Sequence, residues 1–465
     1  MTAIDNTEKR FKKMTESPVP TLILELALPP MISMLISAIY NMADTYFVSQ
    51  INTSASGAVG VVFSLMAVIQ ALGFTLGMGA GTYSSRLLGG KNRAGASEAA
   101  STAFYSALIG GLGLTVFGLL YIDPLMNMLG ATPTILPYAR DYGQYILIGA
   151  PYMAASFVMN NVLRAQGNAL YGMVGIGVGG ILNILLDPLF IFTFGMGISG
   201  AALATILSQL VSFAILFSYC RKDLGGAQIL FKHFVIKKDL YAHILRNGMP
   251  SFYRQMLASL ATICLNLAAG PYGDAAIAGM SIVARLSFFM GAAMLGFGQG
   301  FMPVCGFNYG ARRFERVWTA FWFSLKVAAT FFILVAMVCF VFATPILTFF
   351  RKEDLEVVRI GAAALRYQCA VFPLMAWIIM ANMLTQAIGK TRQASLLSMS
   401  RQGICFLPLI FILPAAFGLP GVQIAQPLAD IATSLLAIPM TFPVLKEIRR
   451  QMSLSSQTGE DLPGS

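Results

Sequence analysis

The sequence is poor in charged residues and nearly lacks histidine. Only 11% of its 465 residues are Asp, Glu, Lys or Arg, two are histidines, and 57% are hydrophobic. The six cysteines are scattered and form no Cys-x-x-Cys pair, so neither a disulfide framework nor a thiolate metal site is expected. So little charge excludes an ordinary soluble domain. We therefore expect a membrane protein without a metal centre or a histidine proton relay.

Several functional motifs are also missing. The sequence has no Gly-x-x-x-x-Gly-Lys-Ser/Thr motif, so direct use of ATP would need a partner protein. It has no recognisable nucleophile–base pair or metal-ligand cluster, and an enzyme is not expected. The first 19 residues are polar and do not form a cleavable signal peptide. The net charge of +11 is concentrated in short loops, so it indicates membrane topology rather than a nucleic-acid partner.

Long apolar segments make up most of the chain, and each is long enough to cross a bilayer as a helix. They predict an all-α polytopic membrane protein with twelve transmembrane helices. The predicted segments lie at approximately 20–48, 57–83, 98–121, 137–163, 171–194, 199–219, 241–269, 275–303, 317–343, 357–387, 394–417 and 421–444.

The basic residues of the loops predict the orientation. Most lie on the side that would hold both termini, whereas the opposite side has only Arg140, Arg351, Lys352 and Arg359. Positive loops stay in the cytoplasm. We therefore expect both termini to be cytoplasmic and the chain to lie in the plasma membrane of a bacterial-type cell.

The two halves of the chain repeat each other. A shift of 220 residues carries Pro30 to Pro250, and a shift of 222 residues carries Gly167 to Gly389. A near-constant offset over six helices indicates a duplicated unit, and an even helix count gives lobes related by an axis along the membrane normal, with a cleft between them. The predicted parts are a cytoplasmic segment 1–19, an N-lobe 20–219, a cytoplasmic linker 220–240, a C-lobe 241–445 and a cytoplasmic tail 446–465.

Polar residues inside the N-lobe form the main candidate site. Asn183 and Asp187 lie one helical turn apart in an apolar segment, where a carboxylate is costly without a partner. With the predicted topology, Asp44 and Thr205 lie at a similar depth, in the outer half of the lobe. We interpret Asp44, Asn183, Asp187 and Thr205 as a site for Na⁺ or for a shared proton. A purely structural role would require a basic partner, and no basic residue lies at that depth in this lobe.

The C-lobe lacks an equivalent set, because Cys264 stands at the repeat position of Asp44. It has Arg254, Arg285 and Asp430 instead. We predict a buried ion pair between Arg285 and Asp430 that stabilises the lobe, with substrate contact as the alternative. Methionines and aromatic residues suit promiscuous binding of organic compounds. The candidate lining of the cleft is Met31, Met34, Tyr40, Asn41, Tyr152, Met159, Asn160 and Phe288.

Several of these stretches resemble a known family. The run Tyr40-Asn41-Met42-Ala43-Asp44-Thr45-Tyr46-Phe47-Val48 and the Asn183-x-x-x-Asp187-Pro188 motif are similar to the multidrug and toxic compound extrusion (MATE) family, in the prokaryotic branch resembling DinF and MepA. The resemblance covers residues 20 to about 450. It implies a twelve-helix bilobed exporter of organic, often cationic compounds, with residues matching Asp44, Asn183, Asp187 and Thr205 as the cation site.

The sequence therefore predicts a secondary antiporter driven by inward H⁺ or Na⁺, with a slight preference for H⁺. The expected substrates are small cationic or lipophilic organic molecules. No macromolecular partner is expected, and the chain should work as a monomer in the bilayer. No cofactor is expected other than Na⁺, if Na⁺ is the coupling ion. The alternative function is a flippase for lipids or lipid-linked oligosaccharides, which would favour a strongly cationic cleft.

Overall fold

The computed structural model describes residues 3–222, 224–350 and 354–458. Within these residues the regular elements are helices, and no β-strand is present. The α-helices are α1 (Ala3–Glu16), α2 (Val19–Ser49), α3 (Thr53–Gly89), α4 (Arg93–Leu120), α5 (Ile122–Met128), α6 (Leu136–Ala165), α7 (Ala169–Pro188), α8 (Gly197–Arg221), α9 (Lys238–Ala269), α10 (Asp274–Gly310), α11 (Phe314–Val341), α12 (Ala343–Phe350), α13 (Leu355–Ala387), α14 (Thr391–Met399), α15 (Phe406–Phe417) and α16 (Leu419–Thr458).

The predicted all-α fold is confirmed. By length and composition, eleven helical segments of the described chain can cross a membrane. The remaining long helix is α9, in which Arg254, Gln255 and Asn266 lower the mean hydropathy. Two predicted segments contain a π-helical turn, Leu189–Thr193 after α7 and Ser400–Ile404 between α14 and α15. Some residues of the predicted topology lie outside the described residues: Arg351 and Lys352 on the predicted outer side, and residues 459–465 of the predicted tail.

The duplication is visible in the backbone. Among the described residues, Lys91 and Arg312 are the two non-glycine residues with positive φ, at 59° and 58°. They occupy the same turn in the two halves, after α3 and after α10. Gly167 and Gly389 likewise have φ values of 79° and 84° after α6 and α13. Helices α2–α8 form the N-lobe and α9–α16 form the C-lobe. Equivalent turns therefore adopt the same left-handed backbone conformation, as expected for a repeated unit.

The two lobes meet at one end, which we call the closed end. There, Gly89 lies against the carbonyl oxygen of Phe307, and Gly310 lies against that of Arg86. A Cβ atom at either glycine would overlap the opposing backbone. The two contacts are reciprocal because the lobes are related by the pseudo-two-fold axis. Glycine at these positions lets the helix ends touch, and this contact seals the closed end.

At the other end, which we call the open end, the described residues of the spanning helices form no hydrogen bond between the lobes. Met42 near the end of α2 is 73% exposed, and Leu267 near the end of α9 is 66% exposed. The cross-lobe hydrogen bonds of the spanning helices lie at the closed end, such as that from Ser85 Oγ to Pro303 O at 3.2 Å. A cleft between the lobes therefore opens away from the chain termini.

The connector between α8 and α9 is ordered along the N-lobe. Ser101 Oγ bridges two of its residues, donating to Gln228 O at 3.2 Å and accepting from Leu230 N at 3.1 Å. Thr102 Oγ1 contacts the backbone of Val235 in the same way, at 3.2 and 3.4 Å. These hydroxyls on α4 satisfy backbone groups that would otherwise need water. The connector is thus attached to the N-lobe, although it leads into the C-lobe.

Candidate functional site

The site is built on α7, which is rich in glycine and ends at Pro188. Asn183 and Asp187 project from one face of this helix, one turn apart. Proline lacks a backbone N–H and weakens the regular helical bonding beside it. The chain continues as a π-helical turn, in which Phe194 N donates to Leu189 O at 2.9 Å. Such π-helical turns frequently occur at functional sites.

The structure brings together the four residues that the sequence singled out. Asn183 Nδ2 lies 3.2 Å from Asp187 Oδ1 and 3.4 Å from Thr205 Oγ1. Thr205 Oγ1 donates in turn to Ala201 O at 3.0 Å. Asp187 is 0% exposed, and Asn183, Thr205 and Asp44 are also buried. The amide of Asn183 therefore lies between the carboxylate of α7 and the hydroxyl of α8.

Tyr142, which the sequence does not single out, lies between Asp44 and Thr205. Its hydroxyl on α6 donates to Asp44 Oδ2 at 3.4 Å, and its ring is buried. A tyrosine near the start of an apolar helix looks like an interfacial anchor in sequence. Only its hydrogen bond to Asp44 of α2 shows that it points into the lobe. No sequence pattern distinguishes it from the other tyrosines of the chain.

Three oxygens of the site have no donor in the described part of the protein. They are Asp44 Oδ1, Asn183 Oδ1 and Asp187 Oδ2, and all three are buried. A buried carboxylate oxygen without a hydrogen bond is costly in an apolar lobe. The cost is removed if a carboxyl group binds a proton or if the oxygens bind a cation. Carboxylate, amide and hydroxyl oxygens are hard ligands suited to small metal cations.

No ion pair neutralises these acids. Within the described residues, neither Asp44 nor Asp187 forms a salt bridge, whereas Asp430 of the C-lobe does. No group of three or more His, Cys, Asp or Glu side chains in that part of the chain could hold a metal ion. The site thus depends on two carboxylates with neutral oxygens beside them. This composition fits a monovalent cation or a proton better than a transition metal.

The family assignment follows from comparison with known proteins. The model of the family described as MatE matches this chain twice, at residues 29–189 and 250–412. The chain belongs to the MatE family. Each match lies within one lobe, as expected for the duplication seen in the sequence.

The relatives match over almost the whole chain. Multidrug export protein MepA of Staphylococcus aureus (strain N315) is 29% identical over 428 residues, covering 90% of this chain and 94% of the relative. The protein of the same description from Staphylococcus haemolyticus (strain JCSC1435) is 28% identical over 424 residues, covering 91% and 93%. The match to the branch that includes MepA agrees with the resemblance seen in the sequence.

Solved MatE-type structures have the same fold. A MOP superfamily transporter from Pyrococcus furiosus has a TM-score of 0.87 and 27% identity, covering 95% of this chain and 99% of that chain. A multidrug resistance MATE family transporter, described as an outward-facing conformation, also has a TM-score of 0.87 and 27% identity, covering 95% and 98%. Such neighbours have twelve transmembrane helices in two lobes, so α9 counts as the twelfth span of this MatE protein.

The predicted polar network of the C-lobe is wrong in its pairing. Asp430 on α16 forms a salt bridge with Arg401 Nε at 2.8 Å, not with Arg285. It also accepts hydrogen bonds from Gln368 Nε2 at 2.7 Å and Gln426 Nε2 at 2.9 Å. Arg285 is exposed on α10. Arg401 lies within the eleventh predicted segment. A charge inside an apolar segment indicates a buried partner, but Arg401 was not among the predicted members of the network.

Arg254 is also separate from Asp430. Its guanidinium donates to Asn382 Oδ1 at 3.5 Å and to Ser251 Oγ at 3.4 Å. Both acceptors are neutral. The three predicted members of the C-lobe network therefore lie in three different surroundings, and each belongs to a different helix, α9, α10 or α16.

The candidate cleft residues divide into several groups. Met31, Met34, Tyr40 and Asn41 on α2 are partly buried, and Phe288 on α10 is 71% exposed. On α6, Tyr152 donates its hydroxyl to Ile206 O at 2.9 Å, and Asn160 is buried beside Gly172. Met159 is 0% exposed, so it does not face the cleft in this conformation. The role of the accessible residues in binding stays a prediction.

Two arginines just beyond the predicted segments 57–83 and 137–163 belong to helices at the lobe contact. Arg86 on α3 donates to Ala387 O at 2.8 Å and to Asn247 Oδ1 at 2.9 Å. Arg164 on α6 contacts Gln299 across the lobe boundary and Asn161 on its own helix. The acceptors are neutral, so each contact is a charge-assisted hydrogen bond rather than an ion pair. The cross-lobe contacts of Arg86 and Arg164 therefore involve no opposite charge.

Proposed function

We propose that this protein is a secondary active exporter of small organic compounds, driven by inward movement of H⁺ or Na⁺. The observation that carries the proposal is the set of three buried oxygens without donors in the N-lobe, Asp44 Oδ1, Asn183 Oδ1 and Asp187 Oδ2. A site that is costly when empty and lies inside a moving lobe can couple ion binding to conformation. The relatives described as multidrug export proteins support the direction of transport and the breadth of substrates.

In the proposed orientation the closed end faces the cytoplasm and the open end faces outward. The turns at the closed end carry Lys91, Arg93, Arg312 and Arg313, as expected for cytoplasmic loops. In this conformation a compound leaves the cleft to the outside, while a cation reaches the N-lobe from the same side. Occupation of Asp44 and Asp187 neutralises the lobe and favours the conformation in which the cleft opens inward.

The proposed substrates are cationic or lipophilic organic molecules that fit between the lobes. Exposed apolar side chains near the open end, such as Met42, Leu267 and Phe288, offer adaptable contacts of the kind found in promiscuous binders. The alternative flippase function is not favoured by the relatives, which are described as drug exporters. We expect the monomer to be the functional unit, because each lobe is complete within one chain.

Dye efflux tests this function directly. The gene is expressed in a bacterium that lacks its own multidrug pumps, and cells are loaded with a fluorescent organic cation. We expect efflux that stops when the H⁺ and Na⁺ gradients are both collapsed with ATP levels maintained. Efflux that continues without either gradient would contradict secondary transport. A well-folded, membrane-inserted protein that moves none of a chemically diverse panel would contradict the multidrug assignment.

A further inference from the structure

The N-terminal helix α1 lies across the boundary between the lobes at the closed end. Its C-terminal half contacts the C-lobe, where the ring of Phe11 lies 5.7 Å from that of Phe307. Asn308 Nδ2 donates to Met14 O at 3.0 Å. Asn308 is 0% exposed and Met14 is 1% exposed, so the contact is a packed interface rather than a loose surface association.

Arginines of the C-lobe cap the end of α1. Arg316 Nη2 donates to Ser17 O at 2.5 Å, and Arg313 Nη1 donates to Thr15 O at 3.4 Å. The last carbonyl groups of a helix lack partners within that helix and carry partial negative charge. Here the partners come from the other lobe. Arg316 Nε is also held by Asn308 Oδ1 at 3.0 Å, so the guanidinium is fixed in the capping position.

The part of α1 up to Arg10 is held by the N-lobe side. Arg10 Nη1 donates to Leu224 O of the connector at 2.8 Å, and Arg93 Nη1 donates to Thr7 Oγ1 at 3.4 Å. Arg93 Nε binds the connector again at Gly226 O, at 2.8 Å. Because the connector lies along α4, this part of α1 is attached to the N-lobe. The helix is also joined covalently to α2 of that lobe.

We propose that α1 is a latch that holds the closed end shut until the lobes change conformation. This inference rests on the proposed alternating-access function and assigns a regulatory element to it. If the lobes separate at the closed end, Arg313 and Arg316 move with α10 and α11, whereas Thr15 and Ser17 stay with α2. The caps must therefore break when the cleft opens on this side. The latch stabilises the conformation described here and sets how often the closed end opens.

The latch is tested by cysteine accessibility in purified protein. Ser85 is 1% exposed and bonded across the lobe contact, so a cysteine there reacts only when the closed end opens. Ser85→Cys is placed in a background in which the six native cysteines are replaced by alanine. The reaction of a polar maleimide is then followed in detergent. Arg316→Gln should speed labelling about tenfold, the equivalent of one lost charge-assisted hydrogen bond. Phe11→Ala and deletion of residues 2–16 should act in the same direction.

Arg312→Gln is the matched control, because it removes the same charge from an exposed position on the same turn. Equal acceleration by Arg312→Gln would show a general charge effect and contradict the latch. Unchanged labelling in Phe11→Ala and in the folded deletion variant would also overturn it. The measurement uses no substrate, so failure of the latch and failure of the proposed function can be distinguished: faster labelling in a protein that exports none of the compounds tested would support the latch and contradict the exporter.

Discussion

Asn183 Nδ2 lies 3.2 Å from Asp187 Oδ1, one helical turn along α7, and this bond leaves an oxygen of each side chain without a donor. The amide thus orients the carboxylate without neutralising it. If Asn183 only stabilised the helix, it would not need the buried carboxylate of Asp187 beside it. The relationship identifies the pair as the centre of the proposed coupling site.

The neutral ligands distinguish Na⁺ from H⁺. If Na⁺ is the ion, Asn183→Ala and Thr205→Ala should each raise the Na⁺ concentration for half-maximal efflux and leave the pH profile unchanged, because each removes one oxygen. If H⁺ is the ion, both should shift the pH profile and leave efflux insensitive to Na⁺. Efflux from proteoliposomes, measured over a matrix of Na⁺ and pH, separates these outcomes. Our slight preference is H⁺, since an apolar lobe favours a protonated carboxyl group, and a pH-independent Na⁺ requirement would contradict it.

Asp44 and Asp187 should behave as one site. Asp44→Asn is expected to reduce efflux almost as severely as Asp187→Asn, and the double variant should be no worse than the more severe single one. Residues that serve a single site are not additive. Initial efflux rates of the three variants at equal protein amounts measure this directly. Losses that multiply would indicate two independent sites.

The C-lobe ion pair should contribute to stability rather than to transport. Arg401→Ala leaves Asp430 buried without its cation and should destabilise the protein by about 3 kcal/mol. Arg401→Met combined with Asp430→Leu should recover much of this loss, because no charge is then left unpaired. Thermal unfolding in detergent, followed by the loss of monomer on size-exclusion chromatography, reports the difference.

Arg285→Met is the control for that experiment. Arg285 is exposed and lies apart from Asp430, so the melting temperature should not change. A loss as large as that of Arg401→Ala would restore the pairing that the sequence suggested.

Gly310→Ala should prevent the helix ends from meeting at the closed end. An added Cβ would overlap the backbone of Arg86, whereas at Gly291 of the same helix nothing lies within 4 Å. We expect Gly310→Ala to increase labelling of Ser85→Cys and to lower efflux. Gly291→Ala should change neither. Wild-type labelling in Gly310→Ala would show that the contact of Gly310 with Arg86 does not seal this end.

The sequence predicted the helices and the N-lobe site because both depend on local composition. Apolar length identifies a spanning helix, and a carboxylate inside such a helix is conspicuous whatever its neighbours are. The repeat could be read from Gly167 and Gly389, whose positive φ values demand glycine in both halves.

Partners on different helices could not be read in the same way. In the predicted topology, several arginines could reach Asp430. Only the packing of α14–α16 shows that its partner is Arg401 and not Arg285. Arg86 and Arg164 lie just beyond the predicted segments 57–83 and 137–163. The helices extend further, to Gly89 and Ala165, and both arginines have acceptors in the other lobe.

Asp187→Asn tests the central claim most directly. Purified wild-type and Asp187→Asn proteins are reconstituted in proteoliposomes, and transport of a fluorescent organic cation is followed under an imposed H⁺ or Na⁺ gradient. The exposed Asp274→Asn serves as the matched control. The proposed mechanism predicts gradient-driven transport by the wild type and by Asp274→Asn, and none by a folded Asp187→Asn protein. Wild-type transport rates in Asp187→Asn would contradict a coupling role for this carboxylate and, with it, the proposed mechanism.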